Sequence, residues 1–341
     1  MTTTPQERRV VVTGIGILSA AGAGREETWL NLLAGKNGID DVTLVEVADL
    51  YSQVAGEVPD VDPATYVDRK GARRMDRFTQ LAVCAAGEAL DHSGLDVGPI
   101  ADQVGCMIGS GIGGIGTLEE EFDVFFHKGP SRVSPLLVPM FIPDMAAGQT
   151  SIRFGLRGPN YNTVSACASG ADALGTAYEV IRRGDAVAMV AGGAEACVTR
   201  MSIAAFANSQ ALSRNNDPLT ASRPFDVDRD GFVIGEGAGI LILEEREHAE
   251  ARGATIYAEM LAYGQSADAF HVTAPSENGE GAARAINIAI RKAGIAASDI
   301  NYVNAHGTST PLNDRFETMS IKTVFGEAAH SIPISSSKSM I

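Results

Sequence analysis

Segments 85–109 and 289–307 run through the same order of residue types, and this recurrence limits the fold more than composition does. In the first, a helical stretch ends at Asp91-His92-Ser93-Gly94-Leu95, and a spacer leads to the apolar strand 104–108 and a glycine turn. In the second, Ala293-Gly294-Ile295 closes a helical stretch, and a spacer leads to the strand 300–303 and the turn His306-Gly307. Helix, glycine corner, spacer and strand are the alternation of an α/β architecture. Its duplication predicts two related α/β halves, 1–252 and 253–341, joined near 247–255 after a charged helical stretch. No linker or low-complexity tract separates them, so they are expected to pack as one body.

Local signals fill in the first half. The unbroken apolar run 186–191, closed by Gly192-Gly193, suits a strand buried on both faces. Before it, Ala171, Leu174, Tyr178 and Ile181 share one helical face over 171–183, and Gly184 supplies the stop. Near the start, Arg8-Arg9 precede a mainly apolar run over 10–23, an arrangement also found in secretory and twin-arginine signals. Thr13 and the glycines interrupt that run. It is therefore read as a first strand, Val10-Val11-Val12, followed by the turn Gly14-Ile15-Gly16.

The formal charge is 27 − 42 = −15, the wrong sign for a generic nucleic-acid or anionic-membrane binder. An exception is the basic island Arg69, Lys70, Arg73, Arg74 and Arg77. A solvated helix face is its ordinary reading, and docking of a small acidic partner is the functional one. The four cysteines show no C-x-x-C pair and no zinc spacing, which suits a reduced, cytoplasmic protein. No apolar stretch reaches the roughly 18 residues of a membrane span.

Cys167 stands where a strand over 161–165 would turn sharply through 166–170 into the helix. Unpaired N–H groups and the helix dipole at such a corner favour the thiolate, the nucleophilic form. From position alone, a nucleophile and a buried structural thiol are both open. Cys84 is expected mid-helix, Cys106 mid-strand and Cys197 after a glycine turn, all structural. His306 follows the strand 300–303, and in α/β sheets ligands bind beyond the carboxyl ends of strands. Cys167 and His306 occupy corresponding positions in the two halves and could converge. His92, His127, His248 and His330 read as surface groups, and His271 is undecided. Gly109-Ser110-Gly111-Ile112-Gly113-Gly114 satisfies G-x-G-x-x-G. It lacks the acidic residue about 20 positions on that a dinucleotide fold wants, so it is read as a packed loop near the site.

Together these motifs resemble the β-ketoacyl-[acyl carrier protein] synthases. Val164-Ser165-Ala166-Cys167-Ala168-Ser169-Gly170 resembles their nucleophile motif, and Asn304-Ala305-His306-Gly307-Thr308-Ser309-Thr310-Pro311 their first histidine motif. Segments 221–226, 228–232 and Ser337-Lys338-Ser339-Met340 also match, in order, with the closest likeness to the synthase II type of fatty-acid synthesis. The resemblance implies a thiolase-like, five-layered α-β-α-β-α fold of two related halves. It implies that Cys167 carries the acyl chain, that His306 binds the enolate oxygen, and that Lys338 and Glu317 form a supporting charged pair. Thr308 and Thr310 would contact the pantetheine arm, Ile112 and Phe206 would line the acyl pocket, and the 69–77 island would meet the acyl carrier protein. No metal or bound cofactor is implied, the substrates riding on the carrier's phosphopantetheine. A homodimer is implied as well. In the family the lysine motif runs on into a second catalytic histidine and a later Gly-Phe-Gly-Gly turn. The chain reaches Ile341 before either, so the second half is expected to be incomplete, and this chain to fold poorly alone and fail to complete condensation. A discrete bacterial polyketide ketosynthase shares the same motifs. A non-catalytic carrier-binding or dimer-partner protein is the reading from another class.

Overall fold

A computed structural model of the chain describes residues 8–59, 61 and 63–341. Its main sheet holds β1 (Val10–Leu18), β2 (Asp40–Asp41), β3 (Val54–Gly56), β4 (Val104–Gly109), β5 (Asn160–Tyr161), β6 (Ala188–Ala196), β7 (Ile234–Glu245) and β8 (Ala258–Met260). A smaller sheet pairs β9 (Val303–Asn304) in parallel with β10 (Ile334–Ser335). In chain order the helices are α1 (Arg25–Leu33), α2 (Arg69–Ala72), α3 (Arg77–Ser93), α4 (Ile115–Lys128), α5 (Leu137–Phe141) and α6 (Met145–Phe154). They continue with α7 (Ser169–Arg183), α8 (Arg200–Asn208), α9 (Arg246–Ala251), α10 (Glu280–Ala293) and α11 (Pro311–Phe325).

The main sheet runs β2-β3-β7-β6-β4-β5, with β1 joined to β7 and β8. β7 is its hub, antiparallel to β6 and β1 and parallel to β3. Strand periodicity sends alternate side chains to opposite faces. Cys106, Ile108, Val190 and Ile242 enter one core with Leu81 and Ala85 of α3 and Ala146 of α6. Met107, Met189, Ala191 and Leu243 enter another with Ala173, Ala177 and Ile181 of α7. Both faces are covered, which is why these strands are apolar throughout. Each fully buried Ile or Met contributes on the order of 1.5–3 kcal/mol.

Several sequence expectations are corrected. Gly14 and Gly16 lie inside β1, not in a turn after it. A Cβ on Gly14 would fall 2.3 Å from the Ala89 carbonyl oxygen, and one on Gly16 1.9 Å from that of Ala85. The glycines are required because the α3 backbone lies directly on β1. β6 likewise continues through Gly192-Gly193 to Ala196, with a Gly192 Cβ only 2.0 Å from the Gly239 oxygen. α7 begins at Ser169 and buries Ala173, Ala177, Tyr178, Val180 and Ile181, leaving Ala171 exposed. The strands expected over 161–165 and 300–303 shrink to β5 and β9. The apolar run after Arg8-Arg9 is β1 itself, buried in the sheet.

The repeated module is visible in three dimensions. α3 and α10 both end on a left-handed glycine, Gly94 (φ 60°) and Gly294 (φ 69°). Each is followed by a short 3-10 turn and then a strand, β4 or β9. α10 meets α7 through Lys292, 3.6 Å from Glu179. Tyr263 covers Gly175 of α7 so closely that a Cβ there would lie 2.2 Å from the ring.

Candidate active site

Cys167 is exposed, whereas Cys84, Cys106 and Cys197 are buried. It lies in the 3-10 turn Ala166–Ala168 that feeds directly into α7. Ala166 adopts φ 50°, a left-handed conformation costing a non-glycine residue roughly 1–2 kcal/mol. Hydrogen bonds hold the turn there. The buried Ser169 Oγ accepts from the Ser165 N–H at 2.9 Å and donates to the Ala166 carbonyl at 2.7 Å. Thr163 Oγ1 donates to the Ser169 carbonyl at 2.8 Å. Ser165 Oγ donates to Asp172, which also accepts from the Tyr263 hydroxyl. Glycines let the helix start approach the sheet. A Cβ on Gly109 would lie 2.2 Å from the Ser169 oxygen, and one on Gly170 3.3 Å from Gly193 Cα.

The second half contributes a clamped loop after β9. Glu317 of α11 accepts the His306 N–H at 2.6 Å and the Gly307 N–H at 2.8 Å. Lys338 Nζ donates to the His306 carbonyl at 2.6 Å. Lys338 and Glu317, expected as a supporting charged pair, both grip the His306–Gly307 backbone, and the Glu317 charge raises the Lys338 pKa. Ser336 Oγ donates to the Gly307 carbonyl at 2.8 Å. Thr308 and Thr310 are partnered side by side, Oγ1 to Oγ1 at 2.8 Å. Asp314, fully buried, accepts from the N–H groups of Thr308 and Phe225 at 3.0 and 2.8 Å and lies 3.4 Å from Arg229.

Electrostatics join the two halves at this point. Burial lowers the Lys338 pKa, opposed by the charges of Glu317, Cys167 and Asp314. Crowding of protein around the His306 ring lowers its pKa, as does the Lys338 ammonium, while Glu317 and Asp314 raise it. Lys338 thus lies within electrostatic reach of both Cys167 and His306. Sequence reasoning missed Asp314, whose place in the first turn after Thr310-Pro311 is the usual signal of an acid fixing a loop to a helix start.

It also missed Glu195. This β6 carboxylate accepts from Ser110 Oγ (2.9 Å) and the N–H groups of Gly111 (2.7 Å), Ile112 (3.0 Å) and Gly113 (3.2 Å). The glycine loop therefore wraps an internal anion. Ile112 and Phe206 pack against one apolar cluster, with Phe206 edge-on to Phe232 at 5.4 Å.

Other expectations divide. Arg69, Lys70, Arg73 and Arg74 are exposed. Arg77 is half-buried and forms a two-point pair with the buried Glu236, at 2.6 and 2.5 Å. His127 and His330 are exposed, as expected. His92 and His248 are not free surface groups. His92 Nδ1 accepts from the Ile15 N–H at 3.1 Å, and His248 lies 2.5 Å from the buried Glu244, which Arg252 also pairs. His271 Nδ1 accepts from the N–H groups of Thr273 and Ala274. A cavity of about 440 Å³ opens at the other end of α7 from Cys167, between Arg8, Arg9, Arg182 and Lys292, with Glu179 and Glu259 paired to them. Among the described residues no group of three His, Cys, Asp or Glu side chains could hold a metal ion. No helix there is long and apolar enough to cross a membrane.

An exposed thiol on a helix-start turn, within electrostatic reach of an ammonium that also holds a histidine loop, is the arrangement a thiol-dependent acyltransferase needs. Residues 7–249 match the family model of the β-ketoacyl synthase N-terminal domain, and residues 257–341 that of its C-terminal domain. The chain belongs to the β-ketoacyl synthase family. It is 52% identical over 336 residues to 3-oxoacyl-[acyl-carrier-protein] synthase 2 of Staphylococcus aureus (strain COL), covering 98% of this chain and 81% of that one. It is 49% identical to the protein of that name from a Synechocystis species, with the same coverages. Among solved structures it superposes with TM-score 0.90 and 37% identity on a type II polyketide ketosynthase in complex with its acyl-carrier protein, covering 98% of this chain and 82% of that one. A β-ketoacyl synthase from Burkholderia phymatum gives 0.87 and 37%, covering 96% and 80%. The α/β thiolase-like fold class expected from the motifs is the one found.

Proposed function

We propose that this protein is a 3-oxoacyl-[acyl-carrier-protein] synthase that elongates an acyl chain by decarboxylative condensation. The observation that carries the reading is the exposed Cys167 on its strained turn, within electrostatic reach of Lys338, whose ammonium holds the His306 backbone. The Cys167 thiolate attacks the carbonyl of a carrier-bound acyl thioester, the pantetheine thiol leaves, and an acyl-enzyme remains. A malonyl thioester then loses carbon dioxide. The electron pair of the broken C–C bond passes to an enolate whose oxygen His306 holds by a hydrogen bond. The enolate carbon attacks the acyl carbonyl, the C–S bond breaks, and Cys167 returns as thiolate. These steps balance without a metal or nicotinamide.

Glu317 and Lys338 fix the His306 backbone, so the imidazole keeps its place as charge develops. Thr308 and Thr310 present paired hydroxyls to the pantetheine arm, and Ile112 and Phe206 line the acyl pocket. Exposed Arg69, Lys70, Arg73 and Arg74 give an acidic carrier a docking site on a body of charge −15. β5 is an open sheet edge with exposed Tyr161 and Val164 beside it. This edge supports a homodimer formed there, since an unpaired edge invites a partner. Four cysteines outside any disulfide suit a reducing, cytoplasmic setting.

The test is peptide mass mapping after exposure to an acyl-carrier thioester. An adduct on Cys167 is expected, and His306→Ala should keep that adduct while losing malonyl decarboxylation. An adduct mainly elsewhere would overturn the assignment.

A further inference from the structure

Glu195 leaves β6 two residues past the point where Gly193 meets the start of α7. Its carboxylate uses both oxygens. Oε1 accepts from Ser110 Oγ and the Gly113 N–H, and Oε2 from the N–H groups of Gly111 and Ile112. Three successive backbone N–H groups aimed at one anion form a nest, the device that elsewhere cradles phosphate. Here the chain supplies the anion itself, and the G-x-G-x-x-G pattern is explained without a nucleotide. The three backbone N–H groups can only donate, two to Oε2 and one to Oε1, so the group they surround accepts at both oxygens.

The loop touches both sides of the site. A Cβ on Gly111 would fall 3.1 Å from Glu195 Oε2 and 3.5 Å from the carbonyl oxygen of Ala166, the residue before Cys167. Ile112, next along, packs against the apolar cluster that holds Ile203, Phe206 and Phe232. The Glu195 carboxylate therefore ties the nucleophile's turn to an apolar wall.

We propose that Glu195 is a positioning residue that sets which acyl chain lengths the pocket accepts, by holding the 110–113 loop and Ile112 at a fixed distance from Cys167. The inference rests on the acyl-enzyme reading above. If Ile112 lines the acyl pocket, as proposed above, a long chain meets it and a short one need not, so release of the loop penalises long chains selectively. Glu195→Gln keeps shape and volume but turns an NH2 group toward donors. Ser110→Ala removes one donor and leaves the three backbone groups.

The experiment compares rates of Cys167 acylation by butanoyl- and dodecanoyl-carrier thioesters in the parent chain and both variants. In Glu195→Gln the dodecanoyl-to-butanoyl ratio should fall by about 10-fold, the scale at which pockets discriminate chain length. In Ser110→Ala it should fall in the same direction by a smaller factor. Equal slowing of both substrates in folded Glu195→Gln would overturn the proposal and leave Glu195 a structural residue. Should that variant not fold, an unchanged ratio in Ser110→Ala overturns it equally. Failure of the parent chain to acylate Cys167 with either thioester would instead sink the acyl-enzyme reading.

Discussion

Burial separates one thiol from the other three. Loss of solvation pushes the Cys197 thiol up to about 12 and raises that of Cys106, and Cys84 is enclosed within α3. Only a thiolate attacks readily, so limiting iodoacetamide at neutral pH should alkylate Cys167 first, as mapped by peptide mass. Early labelling of Cys197 would contradict the exposure pattern. His306 gives a second residue-scale test. Crowding, followed by the Lys338 charge, holds its pKa below the ordinary 6.5. The folded protein therefore keeps a neutral imidazole at pH values where the unfolded chain takes up a proton. Its contribution to stability is complete above pH 6.5 and declines as pH falls from there to the lowered value. The same shift would keep the uncharged ring available for the proposed catalysis into mild acid. The acid limb of malonyl-carrier decarboxylation should fall below pH 6.5, and a midpoint above 6.5 would remove His306 as the group that limits it.

At the scale of elements, β1 and α3 are held together by the absence of two side chains. Gly16→Ala would bring a Cβ to 1.9 Å from the Ala85 oxygen, and neither backbone can retreat from a fully packed core. Overpacking of this kind costs about 3 kcal/mol, read as a lowered denaturation midpoint with unchanged slope. The same glycines show what could be read from sequence. The α7 face and its Gly184 stop, the repeated glycine corners and the apolar runs were legible, because helix period and cap chemistry act within a few residues. Gly14, Gly16, Gly192 and Gly193 look like turns in sequence because a glycine marks either a bend or a close approach, and the approaching partner comes from elsewhere in the chain. Glu195 and Asp314 were invisible for a related reason. An acid becomes an anchor only when folding brings unpaired N–H groups to it, and those of Glu195 come from a loop some eighty residues earlier. The motifs around Cys167 and His306 were legible as a resemblance. That Lys338 and Glu317 both also grip the His306–Gly307 backbone required the structure.

For the whole molecule the governing quantity is charge. A body of −15 repels an acidic carrier at long range, so productive encounters depend on a local patch of opposite sign. Among the described residues Arg69, Lys70, Arg73 and Arg74 are exposed with no ion pair, whereas Arg77, three positions past the end of that segment, is spent on Glu236. Neighbouring arginines should therefore fail in different ways. Reversing Arg73 and Arg74 to glutamate should raise the KM for carrier-linked substrate by about 10-fold and flatten its salt dependence, because such charges act on association and are screened by salt. Its thermal midpoint should barely move, as exposed substitutions stay within about 0.5 kcal/mol. Arg77→Ala should do the reverse. The Glu236 side chain is only 1% exposed, and stripping a buried carboxylate of its partner costs roughly 3 kcal/mol. The carrier KM of the folded fraction should stay near that of the parent chain. Kinetics at two salt concentrations, paired with melting curves for both variants, test the contrast. A carrier KM that rises with Arg77→Ala but not with the Arg73 and Arg74 reversal would move the docking surface off the exposed segment and onto the start of α3.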